Sequence, residues 1–377
     1  VTALAEAGPG AVVLTLDTVS YAIGLDTMVI ILEPGDRPDG TAVQSADEIA
    51  LRGEPIPIEA GLAIDRRSAT GLRFVGFVRL AEGCLPLGPL EFLCSWQSFE
   101  RPELMAYCGM KIVNRLPFDL LDLVRPVVRS QHLPDLGWVT LLPGDPVAAL
   151  RAFVDTWYAD VPSATGEPAS SPVPLPAPLN EFYRVAAGRN SILSGVNEVL
   201  AADKVRTADH DPFDGWQPVP DGLIVVGTNL ATEWGIAIDP AQPDPQVLYL
   251  GVADEPVVER EPLSAYLMQH VLVNVTRTLP FHASAEVTAE QARRLVEPLR
   301  RVPLRPMRWP RDETSLYVGS GLVVAVCAGP QAQPRSAWSA REAKDDGDLC
   351  EIMVGAIDRS VLLPMREPGF EWASFGG

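Results

Sequence analysis

A run of prolines divides this chain. Residues 161–178 read Val-Pro-Ser-Ala-Thr-Gly-Glu-Pro-Ala-Ser-Ser-Pro-Val-Pro-Leu-Pro-Ala-Pro, with six prolines. Each proline removes a backbone donor and pins φ at about −65°, so neither helix nor central strand persists through such a stretch. It predicts a semi-extended linker. At roughly 100–200 residues per domain, 377 residues favour two domains and leave room for three. The expected organisation is an α+β domain over 1–144, a helix and linker over 145–178, a second domain over 179–366 and a loose tail over 367–377.

Charge narrows the partners. There are 30 Lys+Arg against 49 Asp+Glu, a formal net charge of −19. Residues 1–160 carry 21 acids and 12 bases, and residues 161–377 carry 28 and 18, so the halves stand at −9 and −10. A nucleic-acid binder needs a basic face to displace counterions from phosphates, and an anionic membrane surface asks for the same. Neither is expected here. An acidic surface attracts basic partners.

The five cysteines, Cys84, Cys94, Cys108, Cys327 and Cys350, include no Cys-x-x-Cys pair. An odd set at that spacing predicts free thiols in a reducing compartment. Val1 to Asp17 holds no basic residue, which predicts no secretory signal. No apolar run approaches the roughly 20 residues that span a bilayer. The expected location is the cytoplasm.

Strands are predicted at Ala11–Leu16 and Met28–Leu32, both short, apolar and β-branched. Arg73–Leu80, Leu90–Trp96 and Trp138–Leu142 follow, with a helix interrupted near Pro117 over Pro102–Ser130. Asp145-Pro146 opens a helix whose apolar face is Val147, Leu150, Phe153, Val154 and Trp157. Beyond the prolines, helices are expected at Pro178–Ala187, near Gly195–Ala202, at Leu263–Leu279 and at Ala289–Leu299. The last is capped by Thr288 with Gln291 three residues on. Strands are expected at Leu223–Val226, Trp234–Ile238, Val247–Leu250, Ser315–Val318, Leu322–Cys327 and Glu351–Ile357. Few βαβ alternations predict an α+β fold, the second unit being one largely antiparallel sheet with helices packed on it.

The motifs that force a reaction are missing from the sequence. It holds no phosphate-binding Gly-x-x-x-x-Gly-Lys, no dinucleotide fingerprint, no nucleophile elbow and no His-Glu-x-x-His. Gly319-Ser320-Gly321 reads as a hairpin turn between strands. His132, His210, His270 and His282 are too far apart in sequence to suggest a metal site, and Cys84, Cys94 and Cys108 match no zinc spacing. No cofactor, metal or catalytic residue is expected. Arg293-Arg294 and Arg300-Arg301 read as complementing the end of the preceding helix. Trp216 and Trp234 are candidates for a partner surface, where aromatics with an N–H are favoured. Core packing is the competing reading of Trp234.

The second half resembles the SMI1/KNR4 (SUKH) superfamily in its actinobacterial form, over about residues 175–365. Leu175-Pro176-x-x-Leu179-x-Glu181-Phe182-Tyr183 is similar to its opening helix, followed by Gly188-Arg189. Gly222-Leu223-Ile224-Val225-Val226-Gly227-Thr228-Asn229 with Trp234-Gly235-Ile236 resembles its strand pair, and Asp244-Pro245-x-Val247 its turn. Leu316-Tyr317-Val318, Gly321-Leu322-Val323-Val324 and Val354-Gly355-Ala356 resemble its closing strands. Where the family usually has Glu-Asn, this chain has Thr228-Asn229, and Leu230 to Glu233 then precede Trp234. Residues 1–144 resemble no family.

The resemblance implies a binding protein rather than an enzyme. The superfamily is known for immunity proteins that bind and block a cognate bacterial toxin, often a nuclease. An acidic inhibitor of a basic toxin domain would use electrostatic steering. Asn229, Trp234 and Trp216 are the expected partner-binding residues. Two other readings stand beside this one. One is an intracellular regulatory scaffold with two interaction modules. The other is an enzyme whose site lies in residues 1–144.

Overall fold

The computed structural model describes residues 3–37, 40–53, 71–97, 105–127, 132–159, 170–187, 189, 192, 197–207, 222–229, 234–251, 255–308, 313–328, 349–366 and 369–376. The chain is α+β and forms two compact units, Val1–Arg129 with Ser374–Gly377, and Ser130–Ala373. The boundary therefore falls after Arg129 rather than at 144, and the end of the chain belongs with its beginning. Asp145 and the helix it opens lie inside the second unit.

The first unit is an eight-stranded sheet. In chain order its strands are β1 (Val12–Thr15), β2 (Val19–Ile23), β3 (Thr27–Leu32), β4 (Ala42–Val43), β5 (Glu48–Leu51), β6 (Arg73–Leu80), β7 (Gly83–Gln97) and β8 (Met105–Ile112). They lie in the order β1-β2-β3-β6-β7-β8-β5-β4. Neighbours are antiparallel except β3 and β6, which run parallel in register from Thr27↔Arg73 to Leu32↔Val78. Strand alternation sorts the side chains between two faces. Val19, Tyr21, Met28, Ile30 and Leu32 join one core, covered by α1 (Phe118–Val124) through Leu121 and Val124. Ala22, Val29, Ile31 and Phe77 join the other, under a short 3-10 turn at Ala3–Ala7. That turn comes so close that a Cβ on Gly24 would lie 1.8 Å from the Ala7 carbonyl oxygen, so the site admits only glycine.

The helix expected over Pro102–Ser130 is a strand in its first half. Cys108 and Ile112 are four residues apart, a spacing that suits a helix face and, being even, one face of a strand equally well. Cys108, Met110 and Ile112 are buried, and β8 is hydrogen-bonded on both sides, by β7 and by β5. Pairing on two sides overrides the local pattern. Helix returns after Pro117, as α1.

Among the described residues, the second unit contains two antiparallel sheets where one was expected. The first runs β10 (Arg206–Thr207), β11 (Ile224–Asn229), β12 (Gly235–Ile238), β13 (Gln246–Leu250) and β14 (Val257–Pro262), with β9 (Asn197–Val199) also on β11. In the second, β16 (Arg300–Arg301), β17 (Thr314–Gly319), β18 (Leu322–Cys327), β19 (Leu349–Ala356) and β15 (Phe281–Thr288) are neighbours in that order. Among the described residues, the helices with them include α2 (Pro146–Trp157), α3 (Ala177–Ala186), α4 (Leu263–Thr278) and α5 (Ala289–Val296). α4 is the centre of the unit. Fourteen of its sixteen residues are buried, and it packs on α2, α3, strands β13 and β14 of one sheet and β17, β18 and β19 of the other. Each fully buried Leu, Val or Met contributes about 1.5–3 kcal/mol.

The expected hairpin at Gly319-Ser320-Gly321 forms, with Gly321 at φ 72°. Two expected elements change type. Trp138–Leu142 overlaps a 3-10 turn at Gly137–Thr140, where Trp138 is drawn into the core edge-on to Phe153, with ring centres 5.1 Å apart. In Gly195–Ala202, Asn197–Val199 is the strand β9 added to β11. The end of the chain is not loose where described. Trp372 and Phe375 are buried, and the Trp372 indole N–H donates to the Met365 carbonyl at 2.8 Å. Among the described residues, no helix is long and apolar enough to cross a membrane.

Candidate binding surface

Asn229 and Trp234 flank the connection between β11 and β12. Asn229 ends β11 opposite Asn197. The Thr228 hydroxyl donates to the Trp234 carbonyl at 3.0 Å, closing the connection. The Trp234 ring is 3% exposed and stands edge-on to Tyr249 at 5.7 Å. It is a core residue with no face for a partner, which corrects the partner-surface expectation. It stands immediately before β12, which is paired on both sides. Trp216 lies outside the described residues.

Beside Tyr249 the core holds a carboxyl group. Glu259, 1% exposed, accepts from the Tyr249 hydroxyl at 3.0 Å, from the Arg260 N–H at 2.7 Å and from the Arg308 N–H at 3.0 Å. Burial raises its pKa above the ordinary 4.5 and outweighs those three bonds, which act in the opposite direction. Burial raises Tyr249 as well. A raised carboxyl beside a tyrosine is a combination found at acid–base sites. Here its oxygens are occupied by the protein and closed to solvent. Glu259 instead fastens the stretch 305–308 to β14. Glu261 accepts from the Arg305 N–H at 2.7 Å, the Arg260 guanidinium donates to the Pro306 carbonyl at 2.8 Å, and the Gln269 amide donates to the Arg305 carbonyl at 2.7 Å.

An open, charged feature among the described residues of the second unit is a hollow of about 480 Å³ where β15 meets β19. Glu286 and Glu351 are directly opposite each other in the antiparallel register. Like charges in that position repel. Arg277 approaches Glu351 to 4.0 Å. A third carboxylate, Glu371, lines the same hollow with Trp372. The 371–373 stretch is held there by the Ala373 N–H, which donates to the Ser284 carbonyl at 2.8 Å. Among the described residues, no three acids, histidines or cysteines are grouped closely enough to hold a metal ion. Three carboxylates lining one hollow suit an organic cation, a guanidinium or ammonium.

None of these residues was singled out from the sequence, because Glu286, Glu351 and Glu371 are far apart in it. A partial signal was present. Phe281, Ala283, Ala285 and Val287 are buried and alternate with His282, Ser284, Glu286 and Thr288, the pattern of a half-exposed strand. Nothing in the sequence marks β19 as its partner. Compared with protein-family models, curated proteins and solved structures, the chain gives no match.

Proposed function

We propose that this chain is a non-enzymatic, cytoplasmic binding protein of the SMI1/KNR4 immunity kind, which neutralises a basic toxin domain by masking its cationic surface. The observation that carries the reading is the pair Glu286 and Glu351, opposed across two strands beside Glu371 on a chain of net charge −19. Opposed carboxylates weaken a strand pair, and an arginine or lysine from a partner would offset that cost. Charge of one sign over both halves raises encounter rates with a basic protein and makes them fall with salt. The resemblance of residues 175–365 to the family supports the same class. Nuclease toxins are the partners that it implies.

The test is affinity capture with the full chain, at low and moderate salt, from a lysate of its source organism. A variant carrying Glu286→Gln, Glu351→Gln and Glu371→Gln serves as the control. The expected result is a basic protein retained by the parent at low salt and lost from the variant. Recovery of no protein at either salt, or equal retention by both chains, would count against the reading.

A further inference from the structure

One edge of the first unit's sheet is open. The sheet ends on β1 and on β4. β4 is covered, since Ala42 and Val43 are buried. β1 is not. Val12 and Val13 are each 49% exposed, and Leu25, in the turn after β2, is 98% exposed. The ladder decides which main-chain groups β1 turns outward. The Leu16 N–H donates to the Val19 carbonyl at 2.9 Å, so these two residues form a hydrogen-bonded pair. Such pairs alternate along an antiparallel ladder. Leu14 and Val12 therefore bond to Tyr21 and Ile23, and the N–H and C=O groups of Val13 and Thr15 point off the sheet. Among the described residues these groups meet no donor or acceptor.

Natural sheets guard such an edge with charge or proline. Two edge strands of the second unit do so. β14 carries Glu259, Arg260, Glu261 and Pro262, and β16 is Arg300-Arg301. β1 reads Val-Val-Leu-Thr and has neither guard. The charge around it is of one sign. Residues 1–32 contain Glu6, Asp17 and Asp26 and no lysine or arginine. Asp17 and Asp26 sit in the turns at the two ends of β2. A second copy would bring the same acids to the same edge, whereas a basic segment brings the opposite sign.

We propose that β1 is a docking edge for an extended segment of a partner protein, apolar and β-branched at its centre and carrying Lys or Arg at its flanks, which adds to the sheet as a further strand. Main-chain bonds to Val13 and Thr15 supply affinity. Val12 and Leu14 on one face and Val13 on the other select apolar side chains. Asp17 and Asp26 select the basic flanks. The acidic hollow of the second unit takes no part, so this edge stands whatever that hollow binds.

The test uses the full chain and a fluorescent, amidated peptide, Lys-Lys-Val-Thr-Val-Thr-Val-Lys-Lys. The parent is expected to bind it at least about tenfold tighter than a Val13→Pro chain does, and at least about tenfold tighter than it binds the same peptide with Glu in place of Lys. Proline at this position removes an outward N–H and no bond of the sheet. Val13→Lys sets a like charge against the peptide and is expected to weaken it as much, which keeps the test decisive if the proline chain does not fold. Amide exchange gives a second readout. Leu14 is expected to exchange slowly in the free chain, and Val13 and Thr15 fast, then at least about tenfold slower with peptide bound. A chain carrying Glu286→Gln, Glu351→Gln and Glu371→Gln is expected to bind the peptide as the parent does. A loss there would place the peptide at the hollow and overturn the proposal. So would no binding by the parent, equal binding by the Val13→Lys chain or equal binding of the acidic peptide. A parent that sediments as a dimer and becomes a monomer on Val13→Lys would also overturn it, because the edge would then belong to a second copy.

Discussion

Gly355 lies against the backbone of Val275. A Cβ on Gly355 would stand 2.2 Å from the Val275 carbonyl oxygen and 2.7 Å from the Thr276 Cα. The central helix α4 therefore rests directly on β19, and neither side is a flexible side chain able to turn away. Gly355→Ala is expected to push the helix outward. Overpacking of this kind costs typically about 1–3 kcal/mol, and chemical denaturation of the full chain should show a lower midpoint. An unchanged midpoint would mean that helix and sheet slide apart freely.

Glu259 makes stability depend on pH in an unusual direction. Its folded pKa is raised, so between the unfolded value near 4.5 and the folded one the native state binds more protons than the unfolded chain. Its contribution is present at low pH and is lost as pH rises through the folded value. Glu259→Gln should remove that dependence. Glutamine stays neutral throughout, so urea midpoints compared from about pH 4 to about pH 7 should show the parent losing stability relative to the variant as pH rises. A parent that gains on the variant with rising pH would contradict this.

Glu286→Gln should separate stability from binding. Removing one of two opposed carboxylates relieves repulsion between β15 and β19, worth roughly 0.2–1 kcal/mol. Association with a basic partner should slow at the same time, and its salt dependence should flatten. Thermal melting and association kinetics are the paired readouts. If both properties fell together, the substitution would have damaged the sheet itself.

Thr288 caps α5. Its hydroxyl accepts from the Gln291 N–H at 3.3 Å while the Gln291 side chain accepts from the Thr288 N–H at 2.9 Å. Thr288→Ala should lower stability by about 1 kcal/mol, and Thr288→Ser should restore most of it. A loss in both variants would point to the methyl group rather than the cap.

That cap was legible in the sequence, as was Asp145, whose carboxylate accepts from the Ala148 N–H at 2.9 Å. Both are local devices, spelled out within four residues. Arg73–Leu80 was legible for a similar reason, as a short apolar strand between turns. Met105–Ile112 was not, because an even apolar spacing fits two periods and its strand pairing to β5 and β7 comes from elsewhere in the chain. The acidic hollow was illegible because it depends on register. Glu286 faces Glu351 only once β15 and β19 are aligned, across 65 residues, from Phe281↔Ala356 to Thr288↔Leu349. Trp234 shows the converse. Its residue type suggested a surface, and its packing against Tyr249 placed it inside.

The end of the chain belongs with its beginning, and the bond from the Arg125 Nη1 to the Gly376 carbonyl sets an order of events during synthesis. A ribosome adding about 5–20 residues per second emits the first unit's strands early. The acceptor 251 residues later then arrives after roughly 10–50 s. Throughout that interval this bond cannot form, so the strands of the first unit precede one of their own acceptors by the whole of the second unit's synthesis.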